Sequence, residues 1–298
     1  MSQSRKPRKK LKISVITPSY NQGEFIEETI KSVLAQDYPG LEYIVMDACS
    51  TDSTVDVLRK YEGRLKWISR KDAGQADALR KGFGEFAAGD VLAWLNSDDL
   101  YAPGAIKLAM EFFEKNPAVD MLYGRAGYVD RLGRPIGEYP TERFDLQRLA
   151  SFNFICQPSV FFRRRAYEGA GGIDSSLSYA MDYDLWIRVA KKYKVAYLDK
   201  TLSSYRLHEG SKTIGERHAL ESNRECFEVA RKHFNRAPLN RVYVYVYLKV
   251  RRAIGNVPFV TTLVSAICAA VYYLALNRGI NAADIRNLSF ENIRKALR

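Results

Sequence analysis

Two adjacent carboxylates close the stretch Asn96-Ser97-Asp98-Asp99, directly after the apolar run Val91–Leu95. Such neighbours repel each other unless something positive sits beside them. A divalent metal bound together with a diphosphate resolves the repulsion, because hard cations take carboxylate and phosphate oxygens in one shell. The competing role is local, with Asp98 or Asp99 capping the turn before Pro103. Asp47 ends a second apolar run, Leu41–Met46, where a carboxylate can accept hydrogen bonds from a ribose hydroxyl or a base N–H. Asp52 stands just ahead of a helical stretch, and capping explains it.

Two familiar phosphate motifs do not carry the chemistry. The sequence has no Walker-type Gly-Lys-Ser/Thr loop. Gly82-Phe83-Gly84-Glu85-Phe86-Ala87 spells the dinucleotide fingerprint. It falls at the end of a helical stretch rather than between a strand and a helix, so it is set aside. Diphosphate charge is left to a metal and to side chains.

The elements that position these residues follow from hydrophobic periodicity. Strands are expected over 12–17, 41–46, 65–69 and 90–95, and helices over 24–35, 53–61 and 75–86. Four alternations of strand and helix are the signature of βαβ units and a Rossmann-like, mostly parallel sheet flanked by helices. Ligands bind such sheets at the carboxyl ends of the strands. Those ends hold Thr17–Asn21, Asp47–Asp52, Arg70–Gln75 and Asn96–Asp99, where the polar and acidic residues gather. Further on, the pattern predicts a helix over 105–115, a strand over 119–123 and a hairpin turn at Asp130–Arg134. A strand over 157–163, a helix over 182–193, strands near 194–198 and 202–206, and a helix over 216–234 follow.

Charge is concentrated at the ends. Of the net +12, residues 1–12 carry +6 and residues 239–298 carry +7, leaving the body at −1. A basic groove for nucleic acid across the body is not indicated. Basic ends suit an anionic membrane surface or a solvated tail. The chain is expected to divide into a basic flexible tail (1–11), one α/β domain (12–235) and a basic, hydrophobic extension (236–298). Cys49, Cys156, Cys226 and Cys268 show no metal or redox spacing and read as free thiols. With no apolar signal-peptide segment in 1–12, a cytoplasmic start is expected.

Ala253–Asn277 contains no charged residue over 25 positions, more than the about 20 that span a bilayer. Asn256, Pro258, Thr261, Thr262 and Ser265 lower its apolarity. Membrane contact through 240–280 and burial against the body or a partner are both open. The run Val242–Leu248 alternates like a strand and fits an amphipathic helix equally well.

In order and spacing these motifs resemble the family 2 inverting glycosyltransferases, which have the GT-A fold. The resemblance covers about residues 11–210. It rests on Thr17-Pro18-Ser19-Tyr20-Asn21, Asp47-Ala48-Cys49-Ser50-Thr51-Asp52, Asp72-Ala73-Gly74-Gln75-Ala76-Asp77, Asn96-Ser97-Asp98-Asp99, Gln157-Pro158-Ser159, Gly171-Gly172-Ile173-Asp174, Met181-Asp182-Tyr183-Asp184-Leu185-Trp186 and the segment opening at His208. It implies that Pro18 and Tyr20 border the base and that Asp47 bonds uracil or ribose. It also implies that Asp72 and Gln75 lie near the nucleoside or donor sugar. Asp98 falls at the metal-binding position with Asp99 beside it against the donor, and His208 falls where some members place a further metal or diphosphate contact. Asp182 falls at the catalytic carboxylate.

Asn96 stands where the family often has Asp, and Met181 replaces an acidic residue before Asp182. Asp184 is the alternative base, or a helix cap, and Asp182 could itself be a cap. For His208 the alternative is an ordinary surface or core histidine; His218 and His233 read as helix-surface residues. Trp186 and Tyr183 could stack on an acceptor sugar, although a core role suits Trp186 better. Gln157 is expected toward the acceptor side.

The resemblance implies an inverting transfer of sugar from a nucleotide-sugar, a UDP-sugar, to a hydroxyl of a saccharide or lipid-linked saccharide. A divalent metal, Mn2+ or Mg2+, would assist, at the cytoplasmic membrane face, in polysaccharide or lipopolysaccharide assembly. The alternative is a non-catalytic nucleotide- or carbohydrate-binding protein on the same fold. A sugar nucleotidyltransferase would need a glycine-rich basic loop after the first strand, where Pro18–Gly23 has one glycine and no cation.

Overall fold

All seven residues of β1 (Ile13–Ser19) are buried, as a strand packed by helices on both faces requires. In a computed structural model of the protein, residues 10–211, 216–255, 258–277 and Asp284 are described. The basic tail therefore falls almost entirely outside the described residues. After β1 come α1 (Ile26–Leu34), β2 (Leu41–Asp47), α2 (Thr54–Lys60), β3 (Lys66–Ser69), α3 (Gln75–Lys81) and β4 (Val91–Trp94). Next are β5 (Leu100–Tyr101), α4 (Ala105–Lys115), β6 (Met121–Val129), β7 (Pro135–Glu138) and α5 (Leu146–Ser151). β8 (Val160–Arg163), α6 (Arg164–Gly169), α7 (Met181–Ala190) and β9 (Val195–Arg206) complete the α/β body. Three helices follow, α8 (Glu216–Phe234), α9 (Leu239–Ile254) and α10 (Pro258–Asn277).

The nine strands among the described residues form one sheet in the order β3-β2-β1-β4-β8-β6-β9-β5, with β7 hydrogen-bonded to β6. β3, β2, β1 and β4 run parallel, as do β6 and β9, while β8 runs antiparallel to both of its neighbours. Strand alternation sends β1 side chains to two cores. Ile13 and Val15 join Ile26, Ile30 and Phe113 on one face. Ile16 joins Met46, Phe83, Trp94 and Trp186 on the other. The stacked indoles of Trp94 and Trp186, with centroids 5.2 Å apart, pin α7 against the end of β4. Trp186 is thus a core residue. Tyr183 is fully buried and donates to the Leu149 and Ala150 carbonyls, so it does not stand free for an acceptor sugar.

Several elements differ from expectation for identifiable reasons. The helix at 75–86 is α-helical to Lys81 and then widens into a π turn, Gly82–Phe86. A Cβ at Gly82 would lie 2.9 Å from Ile16 Cγ2, so glycine lets this turn press on β1. Gln157–Ser159 is a 3-10 turn with Pro158 inside it, and only Val160–Arg163 is strand. The two short strands over 194–206 are one, β9, whose register to β6 shifts around Arg125. Val242–Leu248 is helical, within α9.

The three terminal helices share a cluster of their own, built from Phe227, Ala237, Val242, Val246, Ala269 and Tyr273.

Candidate active site

At the carboxyl end of the parallel strands, hydrogen bonds link residues from three segments. Gln75 Nε2, at the start of α3, donates to Asn96 Oδ1 over 2.7 Å. Asn96 Nδ2 donates in turn to Asp99 Oδ2 at 3.2 Å. The other Asp99 oxygen accepts the backbone N–H of Arg206, at the end of β9, over 3.0 Å. Asn96 therefore buttresses Asp99 through its amide, a role a second carboxylate there would fill only if protonated.

Asp98 and Asp99 have opposite fates. Asp99 is completely buried, and burial followed by the charge of Asp98 raises its pKa well above the usual carboxylate range, against the Arg206 N–H and the Asn96 amide. Its side chain is turned into the protein. Asp98 remains partly exposed, and its Oδ2 lies 3.0 Å from His208 Nε2. The His208 ring packs on Phe25, 4.4 Å between centroids, which fixes its plane.

This donor pair fits a divalent cation that arrives with a diphosphate. One carboxylate and one imidazole converge at an open rim, and phosphate oxygens can complete the shell. No group of three or more His, Cys, Asp or Glu side chains able to hold a metal occurs among the described residues. The pair is a half-shell rather than a cage.

Arg206 went unrecognised in the sequence although it lies two positions before His208. Its side chain is 1% exposed. The guanidinium donates to the Asp98 and Arg131 carbonyls at 2.8 Å each and pairs with Glu28 at 2.5 Å. It thereby ties the Asp98 backbone to α1 and to the β6–β7 turn. A buried, multiply bonded guanidinium of this kind holds geometry.

The residues that the resemblance assigns to the nucleoside lie along the same edge. Asp47 is paired in register with Ser19 at the end of β1. It is 1% exposed, and its carboxylate accepts the Ser50 and Ser69 hydroxyls at 2.5 Å each. Pro18 is buried inside β1, whereas Tyr20, the second residue after it, is 61% exposed. Asp72 is not joined to the Asp98 group by any described hydrogen bond; it accepts the Gly74 N–H at 2.8 Å. Asp52, just before the Ser53 N-cap of α2, accepts the N–H of Thr54 at 2.9 Å and that of Gly23 at 2.8 Å.

Asp182 opens α7, with Oδ1 accepting the Tyr183 N–H at 2.6 Å. Burial pushes its pKa up to about 6, against the Tyr183 N–H and the positive charge of Arg241. The buried Cys156 thiol is raised by burial and by both Asp99 and Asp182, which places the two carboxylates within electrostatic reach of one side chain. Asp184 is different. It is fully buried and bound by Arg188 and His233 at 2.6 Å each, so it is neither a free base nor a helix cap. His233 is correspondingly no surface residue. Gln157 donates its amide to the Trp94 carbonyl at 2.8 Å, beside β4.

This sheet, with its acidic group after the fourth strand, is the architecture of GT-A glycosyltransferases. It superposes on S. aureus TarS with a TM-score of 0.60, at 18% identity over 96% of this chain and 91% of that one. A second TarS structure, with TM-score 0.56, contains UDP-GlcNAc. The Pyrobaculum calidifontis mannosyltransferase PcManGT, in complex with GDP-Man and Mn2+, gives a TM-score of 0.61 at 19% identity, covering 95% of this chain and 80% of its own. Residues 14–170 match the family described as Glycosyl transferase family 2, and the chain belongs to that family of glycosyltransferases. Among its relatives is the putative teichuronic acid biosynthesis glycosyltransferase TuaG of Bacillus subtilis, 29% identical over 76% of this chain and 91% of that protein. Escherichia coli chondroitin synthase is 26% identical over 77% of this chain, which spans only 35% of that enzyme's length.

Proposed function

We propose that this glycosyltransferase moves a sugar from a UDP-sugar to a hydroxyl of a saccharide or lipid-linked saccharide, with inversion, in cell-envelope polysaccharide or lipopolysaccharide assembly. The observation that carries the reading is the Asp98–His208 pair, 3.0 Å apart at the strand end, with a half-buried carboxylate, Asp182, opening the nearby helix. TuaG's name points to envelope polysaccharide, and the TarS and PcManGT complexes support a nucleotide-sugar donor.

In this mechanism Asp182 accepts the proton of the acceptor hydroxyl as general base. The freed oxygen attacks the anomeric carbon opposite the nucleotide. The bond to the diphosphate breaks, and its electron pair leaves with the diphosphate. One displacement inverts the centre, and no covalent glycosyl–enzyme is needed. A pKa near 6 leaves Asp182 ionised at neutral pH yet basic enough to take the proton. Asp98 and His208 would hold Mn2+ or Mg2+, which when bound neutralises charge on the leaving diphosphate. Pro18 and Tyr20 border the base and Asp47 bonds uracil or ribose. Asp72 and Gln75 lie near the nucleoside or donor sugar, and Asp99 stands beside Asp98.

Residues 12–235 form the transferase domain in this reading. Residues 1–11 are a basic tail, and 236–298 are an extension that meets the cytoplasmic face of a membrane.

Calorimetric titration with a panel of UDP- and GDP-sugars, with and without Mn2+, tests the core of the proposal. Asp98→Ala is expected to abolish the metal-dependent part of donor binding. Unchanged affinity in that variant with Mn2+ present would refute the role of Asp98.

A further inference from the structure

Besides His233 of α8, which binds Asp184, a side chain of α9 reaches the helix that carries Asp182. Arg241, in the first turns of α9, lays its guanidinium carbon 4.8 Å from the centre of the Tyr183 ring. Tyr183 directly follows Asp182 and supplies the N–H that Asp182 accepts at 2.6 Å. The Tyr183 hydroxyl is anchored on the α5 carbonyls of Leu149 and Ala150, so the ring is a fixed platform.

The Nε and Nη2 atoms of Arg241 are buried and make no hydrogen bond among the described residues. Removing guanidinium N–H groups from water without replacing their partners costs free energy. What the guanidinium does have is the π face of the Tyr183 ring. The titratable groups around Asp182 are Tyr139 after β7, Cys156 before the 3-10 turn, Cys226 on α8 and Arg241. Arg241 alone among these is a cation.

We propose that Arg241 is a positioning residue for Asp182, so that α9 completes the catalytic centre from outside the α/β body. The inference rests on the reading of Asp182 as the base. Arg241 keeps the carboxylate charged in a site whose burial works against the anion, and its stacking on Tyr183 steadies the first turn of α7. Its charge opposes the rise that burial imposes on Asp182. Without it the carboxylate would hold its proton to higher pH, and the base form would be scarcer at neutrality.

The experiment is the pH profile of kcat/KM for sugar transfer by the full chain, with Arg241→Met, Arg241→Gln and Arg241→Lys. Met keeps the packing stem and Gln keeps a polar head, so whichever neutral variant has a wild-type circular dichroism spectrum carries the comparison. The acid limb is expected to move to higher pH in the neutral variant. It should stay near the wild-type position in Arg241→Lys, with donor KM unchanged in all three. An unmoved limb in the neutral variant overturns the proposal, as does a Lys variant that shifts as far as the neutral one, since packing alone would then be responsible. Asp182→Asn separates this from the underlying reading. If Asp182→Asn transfers sugar at the wild-type rate, the base assignment fails. If it is inactive while the Arg241 profiles coincide with wild type, only the role of Arg241 fails.

Discussion

At Asp182, stability and the proposed catalytic role pull in opposite directions. Burial lifts the carboxylate from its usual 3.8 to about 6, so the folded state binds that proton more tightly than the unfolded chain does. The stabilisation this gives is complete below the unfolded value and is lost as pH rises through the folded one. At neutral pH the ionised Asp182 therefore weakens the fold. Asp182→Asn is expected to lower kcat by about 10²–10⁴-fold while donor affinity survives. Its Tm should exceed that of wild type at pH 7.5, with the gap closing toward pH 4. A turnover near wild type, or a Tm gap that widens on acidification, would count against the assignment. Of the residues proposed to carry this chemistry, Asp98 stood out in the sequence by closing a periodic segment, whereas Asp182 and His208 were singled out by the family resemblance. Arg206 and Arg241 were legible by neither route. Their importance comes from burial and from partners far off in sequence, Glu28 for one and Tyr183 for the other.

Among the elements, α7 is the one whose placement everything else serves. Its indole, Trp186, stacks on Trp94 at the end of β4, the strand that leads to Asp98. Its buried Asp184 is bound from within the helix by Arg188 and from α8 by His233. Removing His233 leaves one carboxylate oxygen buried without its partner, which typically costs about 1–3 kcal/mol. His233→Ala should accordingly lower urea-unfolding stability by about that amount and raise amide exchange in α8 and the first turns of α7. Loss of exchange protection confined to the end of α8 would mean that the contact is only local. The alternation of buried strands and amphipathic helices made the first half of the sheet readable. What could not be read was α9, where Val242 and Val246 turn to α10 while Val244 and Arg241 are also covered. A helix buried on two faces mimics the period of a strand. The π turn after α3 was equally hidden, since it depends on how closely Gly82 approaches Ile16.

For the whole molecule, the question is what α10 faces. Its inner stripe of Thr261, Ser265, Ala269 and Tyr273 is buried, and small side chains at three of these positions let it lie close to α9. Its outer positions Leu263, Ile267, Val271 and Leu274 are each 47% to 64% exposed, an apolar surface more extensive than scattered residues on a soluble fold present. Val260–Asn277 is also long and apolar enough to cross a membrane by length and composition. Lys249, Arg251 and Arg252 lie just ahead of it, and the charge of +7 over 239–298 suits an anionic surface. The near-neutral body and basic ends were visible in composition, but which side of α10 is covered depended on its packing against α9. Vesicles containing phosphatidylglycerol should therefore bring down the protein in sedimentation. Leu263→Glu with Ile267→Glu should weaken that partition at least tenfold, since each buried leucine-sized side chain contributes about 1.5–3 kcal/mol. Raising the salt should weaken it further by screening the cations. If the double variant sediments as wild type does, the apolar face is not in the bilayer. If wild type ignores vesicles and instead forms a dimer that the double variant does not, a second copy covers α10, and attachment to a lipid-linked acceptor's membrane must come from elsewhere.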